Sequence, residues 1–95
     1  MFIINFNFIK PLEEVNKYTE LHRAYVAKQY EKEKFIIGGP KTPRNGGVVV
    51  SNECSKEELI MILENDPLIL ERVAEYDLIE FSPLMSSQNL NSFIK

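Results

Sequence analysis

Lys34 to Asn52 reads KFIIGGPKTPRNGGVVVSN. "KFIIGGP" is a short apolar run stopped by Gly38, Gly39 and Pro40, and "GGVVVSN" is a second run rich in valine. Both have the length and β-branched content of strands. The segment shared between them, "GGPKTPRNGG", holds four glycines, two prolines and an Asn-Gly pair, the composition of a turn or loop. Two strands therefore follow one another in the middle of the chain without a helix between them, and their flanks decide the fold.

Upstream, "FIINFNFI" alternates. Phe2, Ile4, Phe6 and Phe8 fall on one face, and Ile3, Asn5, Asn7 and Ile9 on the other. Period two predicts a strand with one dry face and one mixed face. Pro11 then stands where proline suits the first turn of a helix, and Glu13 and Glu14 favour its N-terminus. Leu12, Val15, Tyr18, Tyr25 and Val26 recur at helical spacing, which predicts one helix to about Lys34, roughly 35 Å long. Downstream, "SKEE" is a capping box with Ser55 as N-cap and Glu58 three residues on. The helix it opens carries Leu59, Ile62 and Leu63 and ends near Asn65; "DPLILERV" starts another helical turn at Asp66 and Pro67. "EYDLIEFSPL" is a last strand, ended by Pro83.

The order strand, helix, strand, strand, helix, strand predicts an α+β, ferredoxin-like βαββαβ fold, a four-stranded antiparallel sheet with its helices on one face. Residues 1–83 form the domain and 84–95 a polar tail, which is either loose or docked on a partner through Leu90, Phe93 and Ile94. The other sheet face is too apolar to be left wet and too polar to be a core. A second copy is expected against it, giving a dimeric α/β barrel.

Composition narrows the function classes. Net charge is −3 with acids and bases interspersed, which argues against nucleic acid or an anionic membrane as the main partner. No apolar run reaches the roughly 18 residues of a transmembrane helix, and the N-terminus has no basic residue before its apolar part, so a cytoplasmic location is expected. Cys54 is the one cysteine and His22 the one histidine, too few for an internal disulfide or a metal set. Cys54 precedes the N-cap Ser55 and is expected to pack on Leu59 rather than to react.

His22 is the residue that invites a chemical explanation. Counted at 100° per residue from Leu12, it falls at about 280°, inside the apolar stripe of Val15, Tyr18, Tyr25 and Val26. It is either a core histidine satisfied by a backbone carbonyl or a proton-transfer group with a carboxylate partner. Asp66 is the candidate partner, because the inward face of Leu59, Ile62 and Leu63 extends to it. Asp66 before Pro67 is equally explained as a helix N-cap, and the two roles are compatible. Tyr18 and Tyr25 flank His22, as core or as pocket lining. The loop with Gly39, Lys41 and Arg44 either connects two strands or cradles an anion on open backbone amides. "YEKEK", Tyr30 to Lys34, is expected to be a solvated helix end.

"HRAYVAKQYEKEKFIIGGP", the Gly-Gly turn into "VVV", "NDPL" and "EYDLIEFSP" together resemble the YciI-like (YCII-related) family, over Phe2 to about Pro83. The resemblance implies a ferredoxin-like fold, a dimeric α/β barrel and a His–Asp dyad, matching His22 and Asp66 here. One branch of that family eliminates chloride from a chlorinated hydroxymuconate, and most members have no assigned substrate. The expectation is a small-molecule enzyme of isomerase, dehydratase or lyase type without a cofactor. His22 and Asp66 would be catalytic, and Tyr25, Gly39 and Arg44 would bind the substrate. The alternative is a dimeric module that binds a small ligand without turnover.

Overall fold

The computed structural model describes residues 1–52 and 54–93. Strand β1 (Phe2–Phe8) leads to helices α1 (Leu12–Asn16) and α2 (Thr19–Glu31). Strands β2 (Phe35–Pro40) and β3 (Gly46–Ser51) follow directly, then α3 (Lys56–Glu64), α4 (Pro67–Leu70), β4 (Ala74–Glu80) and a 3₁₀ helix (Gln88–Phe93). The sheet is antiparallel throughout, in the order β2-β3-β1-β4. This is the ferredoxin-like α+β fold, and the alternation of β1 sets its two faces. Phe2, Ile4 and Phe6 are buried beneath the helices, where they join Phe35 of β2, Val49 of β3 and Leu59 and Leu63 of α3 in one core cluster. Val15, Leu68, Val73 and Ala74 form a second cluster at the end of the sheet where α1 and α4 sit.

Helix α3 begins as the capping box predicts: Ser55 Oγ accepts from the Glu58 N–H at 3.1 Å. The Glu58 carboxylate does not close the box; it pairs with Lys34 Nζ at 2.7 Å, tying the helix to the chain entering β2. Cys54 packs against the main cluster, with its Sγ 3.3 Å from Ser51 Oγ.

Three expectations are corrected. The single long helix is two helices, interrupted at Lys17 and Tyr18. Thr19 Oγ1 donates to the Val15 carbonyl at 3.1 Å, while the Tyr18 N–H tightens onto the same oxygen at 3.0 Å. A side-chain hydroxyl and a 3₁₀-type bond thus occupy the acceptor that a continuing helix would use. Strand β2 does not stop at the glycines; it runs to Pro40 and pairs Gly38 with Val49, Gly39 with Val48 and Pro40 with Gly47. Because β2 is an edge strand, its proline costs no ladder bond on the inner side. Tyr30 is no solvated helix end, since its ring is half-buried and meets Phe35 edge-on at a centroid distance of 5.6 Å.

The uncovered face carries Ile37, Val50, Ile3 and Ile79 in register, one from each strand, as a continuous apolar row. The next row is Gly39, Val48, Asn5 and Asp77. Beyond β4, Met1 and Phe81 exchange backbone bonds, and Leu84 and Met85 are exposed. Of the tail residues expected at a partner, Leu90 is about half exposed and Phe93 partly buried; Ile94 lies outside the described residues. Among the described residues no helix is long and apolar enough to cross a membrane.

Candidate active site

Asp66 closes the gap between α3 and α4. Its backbone is extended, its side chain caps α4 by accepting the Leu68 N–H on Oδ1 at 2.9 Å, and Pro67 fills the first helical position. The same carboxylate faces His22, whose Nδ1 lies 2.9 Å from Oδ1 and 2.8 Å from Oδ2. Capping and pairing are thus done by one group. Asp66 is 1% exposed, and the His22 side chain 21%. A buried carboxylate needs such donors, because leaving it unpaired in a dry site is expensive. Because a carboxylate only accepts, Nδ1 carries the hydrogen of this contact, and in the neutral ring Nε2 is then an acceptor. Phe6 holds the ring from the side, edge to face at 6.1 Å.

His22 lines a cavity of about 190 Å³ between α2 and the sheet. Thr19, Arg23, Val26 and Tyr30 share the wall with it, at the spacing of one helix face. The opposite wall is Phe6, Phe8, Val49 and the glycines of β2 and β3. None of the described glycines has a positive φ, so here they matter for the volume they leave. A Cβ on Gly38 would sit 2.5 Å from the Tyr30 hydroxyl and 2.6 Å from the Val48 carbonyl oxygen. One on Gly47 would sit 3.2 Å from the Gly39 carbonyl oxygen. Larger residues at these positions would close the space beneath α2.

Arg44, from the turn between β2 and β3, and Gly39 both line the cavity. The Arg44 guanidinium donates to Asn16 Oδ1 at 2.9 Å and Thr19 Oγ1 at 3.3 Å, and lies 5.6 Å above the Phe8 ring centre. Both hydrogen-bond acceptors flank the interruption between α1 and α2.

Tyr25, expected at the substrate, is a correction. It does not line the cavity; its hydroxyl donates to the Ile62 carbonyl at 2.6 Å and ties α2 to α3. Burial, and then the nearby Asp66 charge, push its phenol above the ordinary tyrosine range. Sequence reasoning passed over Thr19, Arg23, Val26 and Tyr30 as cavity residues. Thr19 and Val26 stand three residues before and four after His22, Tyr30 one further turn on, and Arg23 is its immediate neighbour. Burial also raises the Tyr30 phenol. Among the described residues no three His, Cys, Asp or Glu side chains are grouped to hold a metal.

Residues 1–82 match the YCII-related domain family. The chain belongs to that family. This YCII-related domain is 31% identical over 83 residues to the aspercryptin biosynthesis cluster protein B of Emericella nidulans, an alignment covering 83% of this chain and 52% of that protein. The chain thus spans about half the length of that curated relative. Among solved structures, the domain resembles the 5-chloro-2-hydroxyhydroquinone dehydrochlorinase of Burkholderia phenoliruptrix in complex with 2,5-dihydroxybenzoquinone. The TM-score is 0.71 with 19% identity, over 85% of this chain and 93% of that one, which is a likeness of fold.

Proposed function

We propose that this domain is a small-molecule enzyme that works by proton transfer, with His22 as the general acid and base and Asp66 as the residue that orients it. The observation that carries this is the Nδ1–carboxylate contact of 2.8 Å on a histidine that lines a cavity. Nε2 takes a proton from a carbon or hydroxyl acid. The imidazolium formed is stabilised by Asp66 and returns the proton elsewhere on the substrate or to a leaving group. Isomerisation, dehydration and elimination all fit this cycle. The fold neighbour is named for an elimination, which supports the lyase end of that range. The cycle needs no cofactor.

The test is exchange or elimination in D₂O across a panel of enolisable hydroxy acids and hydroxyquinones. Turnover by wild type should fall by about 10²–10⁴-fold in His22→Ala, the usual worth of a positioned acid–base group. Equal rates in the two proteins would leave a binding module, with no role for His22 in chemistry.

The uncovered sheet face supports a second part of the reading, a homodimer closed through the row Ile37, Val50, Ile3 and Ile79. An apolar row in register across four strands, exposed at Ile37 and Ile79 and half-buried at Ile3 and Val50, is more than a monomer of this size usually leaves wet. Light scattering at micromolar concentration should give twice the 11.0 kDa chain mass, and Ile3→Lys should halve it. A monomeric wild type would remove the barrel.

A further inference from the structure

The chain carries 14 acidic and 11 basic residues, yet its cavity has the opposite balance. Arg23 and Arg44 line it, and none of the described acidic residues does. Asp66 lies beneath His22 and is spent on the imidazole and the Leu68 N–H. Arg44 is partly buried, and its two hydrogen bonds go to neutral oxygens of Asn16 and Thr19. A guanidinium offers five N–H donors in a rigid fork, so three remain. The two acceptors and the Phe8 face hold the group in place without neutralising it. A fixed, uncompensated cation in a small, largely apolar cavity is built for an anion.

We infer that the substrate is an organic anion, a carboxylate or enolate, whose charged group is held by Arg44 in the cavity that His22 lines. This deepens the acid–base reading of His22 and rests on it. The cavity of about 190 Å³ has room for a ring, since roughly 150 Å³ takes benzene in an apolar protein cavity. Spacing follows from the helix. Thr19, which Arg44 touches, is three residues before His22, about 4.5 Å along the helix axis. Arg44 and His22 thus meet the same cavity at neighbouring turns of α2. Phe6, Val26 and Val49 give the body of the molecule apolar walls. The electrostatic role is also useful in the reaction, since Arg44 would steady the extra negative charge of an enolate as the proton leaves.

Benzoate, benzamide and benzamidinium test this, being nearly the same shape and differing in charge. In NMR titrations of the full chain, benzoate should shift the amides of residues 19–23 and 44–47 and bind at least tenfold more tightly than benzamide. Benzamidinium should not bind. Arg44→Gln should remove the benzoate preference and leave benzamide unchanged, while Arg44→Lys should retain part of it. His22→Gln abolishes proton transfer but should keep the preference, so loss of the acid–base reading and loss of the anion site are separate results. Equal affinity for benzoate and benzamide in wild type would overturn the inference. So would no benzoate binding at all, or a folded Arg44→Gln protein that still prefers benzoate.

Discussion

Helices α2 and α3 cover the same face of one sheet and do opposite things there. Helix α3 buries Leu59 and Leu63 at 0% and 1% exposure against Phe2, Ile4 and Val49. In α2 only Gln29 is buried; His22, Val26 and Tyr30 are half-buried over a sheet surface that includes Gly38 and Gly47. The symmetric topology gives each helix an equal place. The side chains decide that one place becomes core and the other becomes a cavity. Close packing under α3 fills that part of the layer, while the side chains of α2 leave a cavity beside His22.

The largest effect that would sharpen this contrast is in α3. Leu59→Ala should lower stability by about 2–5 kcal/mol in urea unfolding, whereas Val26→Ala, half-buried at the edge of the core cluster, should cost under about 1.5 kcal/mol. Similar costs at the two sites would mean that α2 packs as tightly as α3. Gly38→Ala pushes a methyl into the Val48 backbone and the Tyr30 hydroxyl. It should destabilise by about 1–3 kcal/mol through overpacking, and an aromatic ring shift of Tyr30 by NMR would locate the cause. At the junction of the two helices, Asp66→Ala should cost more than Asp66→Asn by about 1 kcal/mol, because asparagine still caps α4. Equal melting curves would show that the cap contributes nothing.

The smallest effect is in Tyr25→Phe, which deletes the bond to the Ile62 carbonyl and should cost about 0.5–1.5 kcal/mol at neutral pH. This residue also sets a pH dependence. Its phenol titrates above the value of 10.0 that it has when unfolded, because burial and then Asp66 disfavour the phenolate. The folded state therefore gains from the neutral form, and that gain is complete below pH 10 and lost as pH rises through the folded value. Tyr25→Phe should flatten the alkaline fall in stability. An unaltered alkaline limb would move the cause to Tyr30 or Tyr76, both also raised by burial.

Local patterns by themselves determined the sheet and its dry face. Alternation in β1 is a short-range property, and Phe2, Ile4 and Phe6 are buried as it requires. The caps at Ser55 and Asp66 were legible for the same reason, since a side chain and the N–H it accepts are two or three residues apart. His22 and Asp66 could be named as partners from face and family, but 44 residues separate them and only the folded chain brings them to 2.8 Å. The break between α1 and α2 was hidden because it depends on Thr19 donating to Val15, which competes with a helix pattern that the sequence otherwise continues. Tyr25 and Tyr30 show the limit most plainly. Each lies on the apolar side of one helix, and nothing local says that one bonds to α3 while the other opens onto a cavity. That difference arises because α3 lies beside Tyr25 and glycine lies opposite Tyr30, so the decision belongs to the neighbours in space rather than to the residues themselves.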